Sequence, residues 1–309
     1  MTWGCDTQLA DWAGFRGTIS LFQPRRRPLL RRTRAEASSP PVHKRIHITG
    51  AHRSGTTLMW ALMTTCFDID VSPPGEERLR APLASRGPIV CTKRPDESDY
   101  AFKLLPFDPN LHVIQMIRDP RDVIASKYGP GPAPYFATLP SWRRNRPPRR
   151  IHPRAHVVSY ERLVRTPDAV QKELMAGMPF LRAVSPFSRF SERAQTADRP
   201  QSRYWAEAMH SIRPPSPESI GRWREHLPRV KGQIARHGDI SRDLIALGLE
   251  PDTAWLTLLD GVDADLTPSH LPETEPLKAP VTRAWRNALG ILSYLRERRR
   301  EKREERATI

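Results

Sequence analysis

Eight consecutive residues near the start of the ordered-looking part of the chain have the makings of an anion cradle. Gly50-Ala51-His52-Arg53-Ser54-Gly55-Thr56-Thr57 has the glycine spacing of a Walker A loop, G-x-x-x-x-G-K-[ST], with Thr56 where the lysine would stand. Successive backbone N–H groups and a helix N-terminus still point at a bound anion without that lysine. What is missing is the ammonium that grips the β- and γ-phosphates of a triphosphate. Arg53 supplies a positive charge at a different place in the loop. A second candidate is Arg118, which ends the apolar run Leu111 to Ile117, together with Ser126 a little further on. An arginine at the carboxyl end of a strand and a serine on the next helix can fork one phosphate. Lys93, in Cys91-Thr92-Lys93-Arg94-Pro95, also follows a predicted strand and offers a third cation.

These residues need a scaffold, and the hydrophobic pattern supplies one. Lys44 to Thr49 alternates with Ile46 and Ile48 on one side and predicts a strand that runs into the loop. Thr56 to Cys66 predicts a helix with Leu58, Ala61, Leu62 and Cys66 on one face. Ile89 to Thr92, Leu111 to Ile117 and His156 to Tyr160 read as further strands, the second apolar enough for a buried parallel sheet. Helical patterns cover Asp122 to Tyr128, Pro167 to Met175 and Ser219 to Leu227, the last broken by Pro228. Shorter helical pieces follow at Val230 to Arg236 and Leu244 to Leu249. Strands alternating with helices predict an α/β fold, three layers with a central parallel sheet flanked by helices and a phosphate loop after the first strand.

With these motifs in place, the chain resembles the sulfotransferases that use 3′-phosphoadenosine 5′-phosphosulfate (PAPS). Arg53-Ser54-Gly55-Thr56-Thr57-Leu58 is similar to that family's 5′-phosphosulfate loop, in the form with arginine found in the tyrosylprotein and carbohydrate branches. Arg118-Asp119-Pro120-Arg121-Asp122-Val123, with Ser126 beyond it, is similar to the second signature, which implies that Arg118 and Ser126 bind the 3′-phosphate. Ser159-Tyr160-Glu161-Arg162-Leu163 resembles the Tyr-Glu-Asp-Leu segment that lies by the nucleotide, implying a cofactor contact for Tyr160. Arg213, ahead of Ser219 to Arg224, resembles a late 3′-phosphate contact, though at wider spacing than the cytosolic branch shows. Lys93 resembles the lysine beside the leaving oxygen. Gly75-Glu76-Glu77-Arg78 resembles a Gly-Glu-Glu-Thr-Arg segment whose second glutamate, here Glu77, takes the acceptor proton. His52 and His112 are alternative bases.

The resemblance spans roughly Arg45 to Trp255. It implies sulfuryl transfer from PAPS to a hydroxyl or amine, with Arg53, Lys93 and Glu77 carrying the chemistry and no metal. That chemistry suits a loop without the lysine. A sulfuryl group carries less charge than a terminal phosphoryl, so positioning and a few cationic donors on the bridging oxygen carry most of the catalysis. Two other readings stay open: a P-loop small-molecule kinase, which predicts ATP and Mg²⁺ dependence, and a binding protein without catalysis on the same fold.

Composition bounds the rest. The 309 residues include 32 prolines and 38% apolar residues, which predicts a folded core flanked by segments that do not fold. Residues 1–41 are read as a disordered Pro/Arg-rich extension, 42–260 as the sulfotransferase-like domain, 261–281 as a linker and 282–309 as a basic helix. The last carries an apolar stripe of Trp285, Leu289, Leu292 and Leu295. The formal charge of +16 gathers at Arg25 to Arg27, Arg31-Arg32, Arg143 to Arg150 and Arg298 to Arg300. No nucleic-acid module accompanies these clusters, and aromatics are not interleaved with them, so nucleic acid is not the expected partner. An anionic membrane surface stays open as a partner of the basic tails. The expected acceptor is a small molecule, carbohydrate or peptide, and oligomeric state is open. Cys5, Cys66 and Cys91 suggest neither a disulfide frame nor a zinc site. With no signal-peptide layout and no membrane-length apolar run, the sequence predicts a cytoplasmic protein.

Overall fold

The computed structural model describes residues 44–73, 75–80, 87–127, 134–196, 215–274 and 279–307. The expected N-terminal extension and Arg213 lie outside the described residues. Four strands, β1 (Lys44–Gly50), β2 (Ile89–Lys93), β3 (Leu111–Ile117) and β4 (Ala155–Ser159), form one sheet in the order β2-β1-β3-β4. Every pairing is parallel, with Ile46 opposite Cys91 and Ile48 opposite Ile114. The expected α/β fold with a parallel central sheet between helices is the one observed.

Ile46, Ile48, Ile114, Met116 and Val158 turn one face of the sheet toward α1 (Thr56–Cys66), α5 (Tyr160–Arg165) and α6 (Pro167–Gly177). Met59, Trp60, Leu62 and Met63 of α1 are buried against it. The opposite face is different in kind. Arg45, His47, Thr49, Thr92 and Gln115 alternate with the aliphatic residues, yet they too are buried. They are covered by α2 (Ser98–Leu104), by a long C-terminal helix, α10 (Ala279–Ala307), and, at Gln115, by Asn145. Buried polar groups need partners. His47 Nδ1 lies 2.9 Å from Thr92 Oγ1, and Gln115 Nε2 donates to the Asn145 carbonyl at 2.7 Å.

Several elements differ from the sequence reading, each for a local reason. Pro228 does not break a helix but sits in the first turn of α8 (Leu227–His237), where its missing N–H is no loss. The residues before it, Arg222–His226, form a 3₁₀ segment, and two short helices, α7 (Phe190–Thr196) and α9 (Ser241–Ala246), precede and follow this pair in the chain. The helix expected from Asp122 becomes α3 (Pro120–Ala125), opened by Asp119, whose carboxylate accepts from the Arg121 amide. It stops at Ser126 because the chain there extends to bridge Lys127 with Tyr135. Tyr160 opens α5 instead of closing β4, since Ser159 caps that helix by accepting from the Arg162 amide. Residues Leu139–Arg144, inside a Pro/Arg-rich stretch, form α4 behind a Thr138–Ser141 capping box. The segment read as a linker is hydrogen-bonded to the domain: His270 donates to the Tyr135 carbonyl and Leu271 to that of Phe136.

Helix α10 also turns a different face inward from the one its apolar spacing suggested. Tyr294 is buried, Ile291 and Leu295 pack beside it, and the Tyr294 hydroxyl donates to Asp108 at 2.6 Å. Gly290 permits the approach, since a Cβ there would lie 2.9 Å from the Tyr100 ring. Of the predicted stripe, only Leu295 packs on the domain; Trp285 is 66% exposed, and Leu289 and Leu292 also face solvent. Among the described residues, no helix is long and apolar enough to cross a membrane.

The amino end of β3 yields a stability prediction. His112 stacks on His156 with ring centroids 5.9 Å apart. Burial, then the charges of His156, Lys44 and Arg154, pushes its pKa down to about 4. The unfolded chain takes up that proton near pH 6.5, so stability present above that pH is lost as pH falls toward 4. At roughly 1.4 kcal/mol per pH unit the loss approaches about 3 kcal/mol. Urea unfolding across this window should show the drop, and His112→Gln should shrink it.

Candidate functional site

The loop from Gly50 to Gly55 joins the carboxyl end of β1 to α1 at the edge of the sheet where β3 also ends. Two glycines are required by contact and conformation. Gly50 has φ 148° and a Cβ there would lie 2.5 Å from the Met116 carbonyl oxygen. Gly55 has φ 91° and a Cβ would lie 2.6 Å from the Tyr160 ring. Between them Arg53 takes the left-handed region at φ 69°, a conformation costing a non-glycine residue about 1–2 kcal/mol. Ser54 is buried and donates its hydroxyl to the Ala51 carbonyl at 2.6 Å. Thr56 and Thr57 begin α1, whose first amides have no partner within the helix. Leu58 packs against the core below.

The tertiary structure gathers the remaining cation-bearing residues on this loop. Arg53 Nε donates to Ser126 Oγ at 2.8 Å, linking loop and second motif. Arg118 Nη1 donates to the Arg53 carbonyl at 3.1 Å, and its Nη2 to the Ser219 carbonyl at 2.7 Å. The guanidinium lies over the Tyr160 ring, 4.2 Å from the centroid. Its Nε is buried with no hydrogen-bond partner among the described residues. Arg53, Arg118, Ser126 and Tyr160 therefore form one connected group against Gly55.

The rest of the second motif holds Arg118 in place. Asp119 and Glu250 bind Arg121, which is buried between the Trp223 and Trp255 rings. The Asp119 amide donates to Glu161 at 2.8 Å. Asp122 accepts from the amides of Gly221 and Trp223, both at 2.9 Å, and so positions the segment whose Ser219 carbonyl meets Arg118. Burial pushes the Asp122 carboxyl up, against the pull of Arg118 and those amides. None of these supporting partners was assigned a role from sequence; the compact Arg-Asp-Pro-Arg-Asp spacing was the available signal.

Lys93 ends β2 with its side chain buried under α1. Its Nζ donates to Thr57 Oγ1 at 3.1 Å and lies 3.4 Å from Glu76 Oε1. Glu76 also lies 4.0 Å from Arg94. The carboxylate brought to Lys93 is thus that of Glu76. Glu77 is attached through its backbone, donating its amide to the Lys93 carbonyl at 2.9 Å, and its carboxylate has no hydrogen bond or ion pair among the described residues. His52 packs on Phe136, and burial holds its imidazole below the ordinary value, so it is neutral at neutral pH. His112 is near the amino end of β3, the end of the sheet away from the loop, and does not join the site.

Two cavities border the loop. One, about 270 Å³, is lined by His52 together with residues following β2. The other, about 590 Å³, is lined by Ala51, Ser54, Arg118 and Trp142 among others. The second volume is within the range of small-molecule and cofactor sites.

Removal of Arg118 should be felt directly in anion affinity. Arg118→Ala is expected to weaken binding of an anion at the loop, probed with inorganic phosphate, by about 1.5–3 kcal/mol, the scale of a charge-assisted bond. Calorimetric titration reads this. Arg118→Lys, which keeps the charge but not the fork, should fall between the two, and unchanged affinity in both variants would remove Arg118 from the site.

The fold and the site define an α/β protein with a glycine loop between β1 and α1 that lacks the Walker lysine and is joined by Arg53 and Arg118. No family model matches the chain, and no curated protein matches its sequence. Among solved structures, it is similar to the sulfotransferase domain from the Synechococcus PCC 7002 olefin synthase. The identity is 13% and the TM-score 0.37, over 61% of this chain and 89% of that one.

Proposed function

We propose that this protein transfers a sulfuryl group from PAPS to a hydroxyl or amine of a small-molecule, carbohydrate or peptide acceptor. The observation that carries the reading is the convergence of Arg53, Arg118, Ser126 and Tyr160 on a glycine loop that lacks the Walker lysine. The buried Nε of Arg118, without a hydrogen-bond partner among the described residues, supports an anionic group beside the loop in addition to the one the loop amides would hold, and a second such group is what separates PAPS from ATP. When bound, PAPS supplies an activated sulfuryl group on a phosphate leaving group.

The chain's own residues would do the rest. The loop amides, Ser54, Thr56 and Thr57 hold the 5′-phosphosulfate, with Leu58 anchoring the helix start. Arg118, Ser126 and Tyr160 hold the nucleotide's far end, and Arg213 is a further candidate there. Lys93 and Arg53 offset the negative charge that develops on the oxygen bridging sulfur and phosphorus as that bond breaks and the new sulfur–acceptor bond forms. The acceptor's proton goes to Glu77, whose carboxylate is uncommitted while that of Glu76 is engaged by Lys93 and Arg94.

A thermal-shift comparison of PAP, the desulfated nucleotide, with ATP plus Mg²⁺ tests the reading. Occupancy at about 100 times the dissociation constant stabilises by roughly 2.7 kcal/mol, a shift of several degrees for a domain of this size. The expected result is a shift with PAP and little with ATP–Mg²⁺. A shift with ATP–Mg²⁺ alone would replace this reading with a kinase-like one.

A further inference from the structure

The smaller cavity beside the loop has a charge pattern that the transfer chemistry does not require. His52 forms its wall on the loop side, and the other walls come from three separate parts of the chain: Arg78 and Arg80 ahead of β2, Arg94 to Glu97 with Asp99 and Tyr100 after it, and Arg283, Arg286 and Asn287 on α10. Each of its carboxylates already has a hydrogen-bond or ion-pair partner. Glu97 faces His47 and accepts the Leu79 amide at 2.9 Å. Asp99 pairs with Lys103 at 2.8 Å and accepts from Asn287 at 2.6 Å. Asp96 accepts from Asn145.

Arg78, Arg80, Arg94 and Arg286 are not neutralised in the same way. Arg94 is 4.0 Å from both Glu76 and Glu97. Arg78, Arg80 and Arg286 have no hydrogen bond and no carboxylate within ion-pair distance among the described residues. Gathering unpaired like charges around one cavity raises the energy of the empty site and favours an anion that enters it. Helix α10 is held in position by Gly290 against Tyr100 and by Tyr294 on Asp108, so Arg286 is presented by a docked helix and not by a loose tail. Guanidinium groups match carboxylate, sulfate and phosphate oxygens through paired N–H donors, which a neutral alcohol cannot exploit. A volume of about 270 Å³ is small for a drug-sized ligand and fits a group of about monosaccharide size.

We propose that this cavity is the acceptor subsite and that it selects a hydroxyl compound carrying a carboxylate, sulfate or phosphate group, recognised by Arg78, Arg80 and Arg286. The assignment as an acceptor subsite rests on the sulfuryl-transfer reading; the selection for an anion rests on the cavity alone.

The test uses the full chain saturated with PAP, so that the phosphate loop is occupied, and three probes of similar size: glucose 6-phosphate, glucuronate and glucose. Titration calorimetry should show binding of the two anions and none of glucose. The double variant Arg80→Glu/Arg286→Glu, on two exposed side chains, should bind both anions at least about tenfold more weakly while keeping wild-type PAP affinity. Equal binding of glucose, failure of both anions to bind, or anion affinity that survives the double reversal would overturn the proposal. If the wild type binds no PAP yet binds the anions through these arginines, the anion site stands and the sulfuryl-transfer reading falls.

Discussion

Replacement of Glu77 by glutamine is expected to lower kcat by about 10²–10⁴-fold, the range for loss of a general base, with PAP affinity nearly unchanged. Glutamine preserves the shape of the side chain and leaves intact the amide that donates to the Lys93 carbonyl, so the local backbone should survive. What disappears is the proton acceptor. Turnover is read as PAP released from PAPS in the presence of an acceptor alcohol, as a function of pH. Glu76→Gln and His52→Asn are the informative controls. Glu76 is engaged with Lys93 and Arg94, and its loss should cost much less than that of Glu77. His52 is neutral at neutral pH and lines the smaller cavity, so it has the protonation state a base needs. If His52→Asn, and not Glu77→Gln, lowers kcat on this scale, the proton goes to the imidazole.

Lys93→Met is expected to lower kcat by about 10²–10³-fold, the cost of deleting one preorganised charge at a developing anion. Methionine is the informative substitute because the Lys93 side chain is only 1% exposed, so truncation to alanine would leave a cavity as well as remove a charge. The lost contacts include those to Thr57 Oγ1 and Glu76. Glu76 is partly open to water, so its carboxylate is not stranded and the thermal midpoint should move little. A variant that folds normally, binds PAP normally and turns over slowly would place the Lys93 charge in the transition state. A loss confined to PAP affinity would make Lys93 a binding residue only.

Much of the site was readable because its signals are contiguous. The two glycines, Arg53 and the threonines lie within eight neighbouring residues, and a strand–loop–helix pattern surrounds them. Arg118 and Ser126 share a second short motif at the end of the most apolar strand. Contacts across the chain could not be read in that way. Arg53 meets Ser126 at a sequence separation of 73, and Asp122 holds amides 99 and 101 residues away. The pairing of Lys93 with Glu76 depends on how the segment before β2 folds back, which two adjacent glutamates leave undetermined.

By itself the sequence determined the four strands, their parallel sheet and the strand–glycine loop–helix unit, because apolar runs of strand length and glycine spacing act over a few residues. The tertiary structure alone decided the polar face of the sheet. Arg45, His47 and Thr49 alternate with Ile46 and Ile48 as a solvent-facing edge would, yet α2 and α10 bury them. It also decided which side of α10 docks. Helical spacing marks Trp285, Leu289 and Leu292 as readily as Ile291 and Tyr294, and the choice falls to Gly290 and Asp108, whose fit to Tyr100 and Tyr294 exists only once the chain has folded. Periodicity records that a residue can be buried; which surface buries it is settled by packing between segments far apart in the chain.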